Sequence, residues 1–259
     1  MTQAKRRLEP SFLFRLYTAF LMLGQVLLRI VRGGLRRDAV LEQMIAAGPG
    51  ALLPVLLVAL FGGMIFTIQT ARELSTFGAT NIVGGAFAIA FCRELAPILT
   101  ASIVAGQVGS AFASELGAMK ITEQIDALHM LRTNPIDYLV LPRVVACCLM
   151  LPILNIFALV VGILGGMGAA YQFYGVAPVN FLQSVQTFLS PDDLLNIGLK
   201  GIVFGLIVGI IGCSWGLTTE GGAKQVGQAA TSAVVTAWIS IFMSDFLMSA
   251  FLFHQSPLP

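Results

Sequence analysis

The sequence predicts an all-α membrane protein, with an N-terminal interfacial amphipathic helix followed by five transmembrane helices. Of its 259 residues, 57% are hydrophobic and only 11% are charged, and the mean hydropathy is +0.87. A soluble domain carries roughly a quarter charged residues, so this much apolar surface requires lipid as its solvent. Apolar stretches of about 20 residues, enough to cross a bilayer core, recur along the whole chain. The composition leaves no room for a separate soluble domain.

The first apolar stretch, residues 12–31, is predicted to lie on the membrane. Its uncharged part runs only from residue 16 to residue 28, which is shorter than the about 20 residues that a span needs. Arginines flank it on both sides, as in helices that rest in the headgroup region. Residues 1–40 are therefore expected to form a cytoplasmic or interfacial segment, and residues 41–259 the membrane domain. A spanning signal anchor is the alternative.

Five spans are predicted in the remaining sequence. Gly48-Pro49-Gly50 is expected to break the chain before the first of them. The spans cover about 51–70, 83–114, 141–168, 198–217 and 229–252. The second is longer than a bilayer requires, so it must tilt, kink or project from the membrane. Residues 171–197 are predicted to be a linker.

The basic residues of the loops predict the orientation. With five spans, the N-terminal segment, the 115–143 segment and the 218–228 loop fall on one side and hold nearly all the loop Lys and Arg, whereas the other side holds Arg72. Because cytoplasmic loops carry the excess of basic residues, the N-terminus is predicted to be cytoplasmic.

Four charged residues lie within or at the edge of predicted spans: Arg93, Glu94, Lys200 and Asp245. A charge at the bilayer centre costs at least about 2.5–3.5 kcal/mol, so such residues usually pair or face a wet cavity. The predicted topology places all four in the outer half of the bilayer, which suggests a polar pocket that opens outward. The alternatives are an internal Arg93–Glu94 salt bridge, a Lys200 that extends to the interface, and an Asp245 that serves helix packing.

Pro97 supports the same pocket. Proline has no N–H group, so the carbonyl of Arg93 loses its partner in the helix. Within a membrane, such a freed carbonyl is tolerated where protein or water can satisfy it.

Small residues recur at helical spacing in the second span. One row is Ala101, Ala105, Gly109, Ala113 and Gly117, and the adjacent row is Ser102, Gly106, Ser110 and Ser114. Rows of small residues allow helices to approach closely in lipid. They predict either packing within the chain or a subunit interface.

A short amphipathic helix is predicted in the polar segment of residues 115–137. Thr122 and Glu123 resemble a helix start, Ile125, Leu128 and Met130 give an apolar face, and Asn134-Pro135 ends the helix. Such a helix rests on the membrane or docks in a groove of a partner.

No enzymatic motif, metal site or cofactor site is predicted. His129 and His254 are single histidines, and Cys92, Cys147, Cys148 and Cys213 lie in apolar segments as small hydrophobic residues. The glycine-rich stretches lack the Lys and Ser/Thr of a phosphate-binding loop. If the protein uses ATP, another subunit must bind it.

The sequence resembles the MlaE family of ABC-transporter permeases, which includes a plastid lipid permease. The resemblance covers roughly residues 40–255 and is strongest in FCRELAPILTASIVAGQVGSAFASELGAMKITEQIDALHMLRTNP and LVLPRVVA, and weaker around LKGIVF and SDFLMSAF. It implies a homodimeric permease of a phospholipid transport complex, with cytoplasmic ATPase subunits, a lipid-binding MCE-domain protein on the periplasmic or outer side, and no nucleic-acid partner.

The resemblance also implies roles for particular residues. The lipid pocket would include Arg93, Glu94, Pro97, Lys200 and Asp245. The helix that couples to the ATPase would involve Glu115, Thr122, Glu123, Gln124, Asp126, Leu128 and Leu131.

Two other functions are weighed against lipid transport. An ion-coupled secondary transporter would use Glu94 and Asp245 as proton sites, but no inverted repeat is visible. An intramembrane lipid enzyme would need His129 beside these carboxylates, whereas the predicted topology puts it on the opposite side. The sequence shows no transit peptide, which favours a bacterial inner membrane over a plastid envelope.

Overall fold

The computed structural model describes residues 12–32 and 36–253, and within these ranges the chain is helical without strands. The helices are α1 (Phe12–Arg32), α2 (Arg37–Thr76), α3 (Thr80–Ile121), α4 (Gln124–Met130), α5 (Ile136–Tyr174), α6 (Pro178–Phe188), α7 (Pro191–Leu217) and α8 (Ala223–Phe253). The basic residues Lys5, Arg6 and Arg7 and the single His254 lie outside the described residues.

The predicted fold class is confirmed. The long helices α2, α3, α5, α7 and α8 are each long and apolar enough to cross a membrane. By length and composition α1 also qualifies, which makes six candidate spans in the described part of the chain. The protein is therefore a multi-pass membrane protein.

The contacts of α1 distinguish it from the other five. Near its start, the ring of Phe12 packs edge-on against Trp215 with centroids 6.1 Å apart, and Ser214 Oγ donates to the carbonyl of Arg15 at 3.2 Å. Near its end, Arg29 pairs with Asp137. The first contacts lie at the C-terminal end of α7 and the last at the start of α5. Both ends of α1 thus contact the same end of the bundle, as an interfacial helix does.

Helix α5 is central and packs between α2 and α7. Its approach to both is so close that side chains are excluded at the crossings. A Cβ atom on Gly63 of α2 would lie 2.2 Å from the carbonyl oxygen of Gly162, and one on Gly205 of α7 would lie 2.6 Å from that of Cys147. Such backbone contact supplies the van der Waals packing that holds helices together in lipid.

The two rows of small residues on α3 mainly serve packing within the chain. The first row is buried, and a Cβ on Gly212 of α7 would lie 2.8 Å from the carbonyl oxygen of Gly109. The second row is half-buried and faces α8, where Trp238 Nε1 donates to the carbonyl of Ser102 at 3.0 Å.

Three predictions about helix ends were wrong. Gly48-Pro49-Gly50 does not break the chain, because α2 continues through it and the buried Gly48 faces Met150 of α5. Residues 171–197 are not a linker; they contain the end of α5, all of α6 and the start of α7. Most helices also extend beyond the predicted spans, although α7 ends at Leu217 as predicted, because apolar composition marks only the part of a helix that meets lipid.

Helix α3 contains two π-helical turns, Phe91–Leu95 and Ala105–Gly109. Such turns are rare and frequently occur at functional sites. The first contains both Arg93 and Glu94, the charged residues singled out from the sequence.

Candidate functional site

Lys200 lies at the centre of a charged cluster that joins three helices. Its Nζ donates to the carbonyl oxygen of Arg93 at 2.6 Å and to Glu94 Oε2 at 3.0 Å, both on α3. On α8, the same Nζ donates to Ser249 Oγ at 2.8 Å and lies 2.7 Å from Asp245 Oδ1. Ser249 Oγ in turn donates to Glu94 Oε1 at 2.8 Å. One ammonium group therefore ties α7 to α3 and α8.

The Lys200 side chain is buried, with 1% of its surface exposed. The alternative that it extends to the membrane surface is therefore wrong. Helix α7 begins at Pro191, so Lys200 lies about 13 Å into the helix and reaches the carboxylates of neighbouring helices. Asp245 is also nearly buried at 8%, whereas the side chain of Glu94 remains 39% exposed.

Arg93 forms a second ion pair, with the start of α7. Its Nε donates to Asp193 Oδ1 at 2.7 Å, and the Asp193 side chain is buried. The other carboxylate oxygen of Asp193 accepts from the backbone N–H and the hydroxyl of Ser190, and the Ser190 hydroxyl accepts from the Asp193 N–H. This is a capping box, which fixes the first turn of a helix. The cap thus also orients the carboxylate that holds Arg93.

The carbonyl of Arg93, which was predicted to lose its helical hydrogen bond, has another donor. Pro97 cannot donate to the carbonyl of Arg93, and Lys200 Nζ donates to that carbonyl instead. The π-helical turn at Phe91–Leu95 accompanies this rearrangement. The proline and the buried lysine are therefore parts of one arrangement.

The four predicted charges are thus brought together, but the pairing differs from the Arg93–Glu94 salt bridge considered above. Arg93 pairs with Asp193, and Glu94 pairs with Lys200. Sequence reasoning missed Asp193 and Ser249. The signal for Asp193 was the Ser190-Pro191-Asp192-Asp193 sequence, which has a cap residue, a proline at the first helical position and an acid at the third. Ser249 had no signal beyond its place in an apolar helix.

The site can interact with both anionic and cationic groups. Formally it contains two cations, Arg93 and Lys200, and three carboxylates, Glu94, Asp193 and Asp245. The side chains of Arg93 and Glu94 are 30% and 39% exposed on the surface of the chain. A polar group beside them would meet a guanidinium and a carboxylate on adjacent residues.

Helix α4 lies far from this site. From Glu94 to Ile121 the continuous helix α3 spans 27 residues, or about 40 Å, and α4 follows. Ile125 is buried against the bundle and Leu128 is half-buried, but Met130 projects outward with 87% of its surface exposed, beside the exposed Leu131. The predicted apolar face is therefore split between the bundle and the outside.

The other predicted coupling residues lie on α4 or next to it, except Glu115. Gln124 and Asp126 lie on the helix, Glu123 precedes it with a left-handed φ of 61°, and Thr122 is the C-cap of α3. Asp126 pairs with Lys120 at 3.1 Å. Glu115 is not on α4; it lies on α3 and pairs with Arg143 of α5 at 2.9 Å. No group of His, Cys, Asp and Glu that could hold a metal ion is found in the described ranges.

Residues 40–251 match the family model described as Permease MlaE. The chain belongs to the MlaE permease family. This MlaE permease is 53% identical to a probable ABC transporter permease protein of Synechocystis sp., over 93% of this chain and 91% of that protein. It is 43% identical to the chloroplast protein TRIGALACTOSYLDIACYLGLYCEROL 1 of Arabidopsis thaliana, over 95% of this chain and 71% of that protein.

A more distant relative is a probable ABC transporter permease protein of Rickettsia prowazekii, which is 35% identical over 86% of both chains. These findings identify the MlaE permease as the membrane subunit of an ABC-type transporter. Membership of this class implies ATPase partner subunits.

Proposed function

We propose that this permease carries lipid in an ATP-driven transport complex and that the Lys200 cluster lies at its lipid pocket. The observation that supports this most is a buried ion network at membrane depth whose outer members, Arg93 and Glu94, remain partly exposed. Charges in such positions mark substrate paths in membrane proteins. The name of the Arabidopsis relative is that of a lipid, which agrees with lipid as the cargo.

A second copy of the chain would complete the pocket. The exposed parts of Arg93 and Glu94 would be costly against hydrocarbon, so this face requires a cover. In a homodimer the two copies would enclose a shared cavity lined by Arg93, Glu94, Pro97, Lys200 and Asp245, which would open on the side away from α4. A lipid headgroup there would meet the guanidinium and carboxylate, and its acyl chains the apolar helix faces.

Helix α4 is proposed as the contact with the ATPase. Its exposed Met130 and the adjacent Leu131 offer an apolar surface on a short helix, which is the form that docks in a groove of a partner. Because basic residues predominate in the loops on this side, it is assigned to the cytoplasm together with the N-terminus. A lipid-binding MCE-domain protein would then meet the opposite side, and the membrane would be a bacterial inner membrane.

The test is lipid transfer by the purified complex of permease and ATPase in vesicles that contain a fluorescent phospholipid. Glu94→Gln and Arg93→Gln are expected to abolish ATP-dependent transfer to an acceptor while the complex remains assembled. Glu73→Gln, which changes an exposed glutamate outside the cluster, is the matched control. Native mass spectrometry of the same preparations reports the copy number and the bound lipid.

Normal transfer by both cluster variants would contradict the pocket assignment. Flux that follows a pH gradient without ATP would instead favour the ion-coupled transporter. A permease that purifies as a single copy without lipid would contradict the shared cavity.

A further inference from the structure

Two cavities lie between α1, α7 and α8. The first lies at the end of the bundle away from the Lys200 cluster, and the second extends along α8 as far as Ser244, next to Asp245 of that cluster. The first has a volume of about 640 Å³ and is lined by Phe12, Arg15, Trp215 and residues 224–232. The second has a volume of about 620 Å³ and is lined by one face of α1 between residues 13 and 23, by residues of α7 between 206 and 211, and by Ser240, Met243 and Ser244 of α8. On α1, the sequence neighbours Arg15 and Leu16 line the first and the second cavity respectively.

The first cavity is basic. Among the residues that the structure describes, Arg15 and Lys224 are the charged residues of its lining, and no carboxylate lines either cavity. The buried Nε of Arg15 has no hydrogen-bond partner among the described residues. Glu220, on the loop before α8, lines a different cavity. An anion in this cavity would therefore meet two cations, one of which has an unused buried donor.

The second cavity is an apolar groove. Apart from Tyr17 and two serines of α8, its lining consists of leucine, isoleucine, phenylalanine, methionine and alanine side chains. From Ser232, in the basic cavity, to Ser244, at the far end of the groove, α8 advances 12 residues, or about 18 Å. One leaflet of the hydrocarbon core is about 15 Å thick. The two cavities together thus extend along α8 over about the length of one acyl chain.

We infer that these cavities form a binding site for an anionic phospholipid of the leaflet that borders α1, with its phosphate between Arg15 and Lys224 and an acyl chain in the groove. Basic pockets between transmembrane helices are known to bind anionic headgroups. The lipid would fill the gap between α1 and the bundle. This site shares no lining residue with the proposed transport pocket, and the inference does not depend on what the transporter carries.

The experiment uses the full-length permease in nanodiscs with equal amounts of phosphatidylglycerol and phosphatidylcholine, followed by native mass spectrometry of the retained lipid. The wild type is expected to retain phosphatidylglycerol selectively. Each cation near an anionic lipid changes binding about fivefold, so the double variant Arg15→Gln/Lys224→Gln should lose roughly 25-fold. The control, Arg72→Gln, removes an exposed arginine at the other end of the bundle and should retain the wild-type ratio.

A second variant, Ser240→Phe, places a large ring in the apolar groove and should also reduce retained phosphatidylglycerol. Thermal unfolding in detergent without added lipid shows whether each variant folds as the wild type does. Unchanged selectivity in the double variant, or unchanged retention in a folded Ser240→Phe, would overturn the inference. Full displacement of the lipid by inorganic phosphate would reduce the site to an anion site and would also overturn it.

Discussion

Replacement of Lys200 by methionine tests whether the cluster holds the bundle together. Methionine preserves the length and apolar stem of the side chain but removes the ammonium. The carboxylates of Asp245 and Glu94 then lose their shared cation, and the carbonyl of Arg93 loses the donor that replaces Pro97. Removing one partner of a buried ion pair costs about 3–5 kcal/mol. At about 2–4 °C per kcal/mol for a chain of this size, the melting temperature should fall by roughly 6–20 °C.

The natural cysteines provide the assay. Cys92, Cys147 and Cys213 are buried in the folded chain, so a thiol-reactive dye reports their exposure as the protein is heated in detergent. The control is Lys120→Met, because Lys120 forms an exposed ion pair with Asp126, and such pairs contribute about 0–1 kcal/mol.

A double variant distinguishes lost charge from lost packing. Lys200→Met combined with Asp245→Asn removes the cation and its most buried anion together. The second change should therefore restore part of the lost stability, with a coupling of roughly 0.5–3 kcal/mol. Equal melting temperatures of Lys200→Met and the Lys120→Met control would refute the reasoning. So would a double variant whose loss of stability equals the sum of the two single losses.

Three further predictions concern other parts of the chain. Gly205→Leu should prevent accumulation of folded protein, because its Cβ would lie 2.6 Å from a backbone carbonyl oxygen. The control Gly198→Leu, where that space is open, should express normally. Equal yields of the two variants would contradict the close crossing of α5 and α7. Ser190→Ala should destabilise the protein by about 1 kcal/mol through loss of the cap, measured by the same thermal assay; no change would show that the cap does not contribute. Met130→Asp should weaken ATPase association by roughly ten- to a hundredfold in a pull-down titration, the equivalent of about 1.5–3 kcal/mol for one buried apolar side chain, whereas Phe77→Asp at the opposite end should not; equal association of the two variants would exclude α4 as the contact.

The arrangement of the spans could be predicted from the sequence because lipid imposes a simple rule. Each crossing requires a long apolar run, and each of the five runs corresponds to a helix of the bundle. The charges in these runs were informative for the same reason: a charge at membrane depth needs a partner. Arg93, Glu94, Lys200 and Asp245 do lie in one connected cluster.

The pairing within the cluster could not be predicted, because it depends on how the helices are rotated against one another. Arg93 and Glu94 are sequence neighbours, yet Arg93 pairs with Asp193 near the start of α7 and Glu94 pairs with Lys200 two turns further along it. Asp193 was assigned to a linker because the apolar run begins after it, although the helix begins before it. Local propensity predicts a break at Gly48-Pro49-Gly50, but α5 packs against the buried Gly48 and α2 continues through it.

The ammonium of Lys200 has only three hydrogens to donate, yet four oxygens surround it: those of Arg93, Glu94, Ser249 and Asp245. These oxygens cannot all receive a hydrogen of their own from Lys200 at the same time. A shift of one helix that removes one of these contacts would therefore leave enough acceptors for all three hydrogens of Lys200. Lys200 therefore joins the three helices through more acceptor oxygens than it has hydrogens to donate.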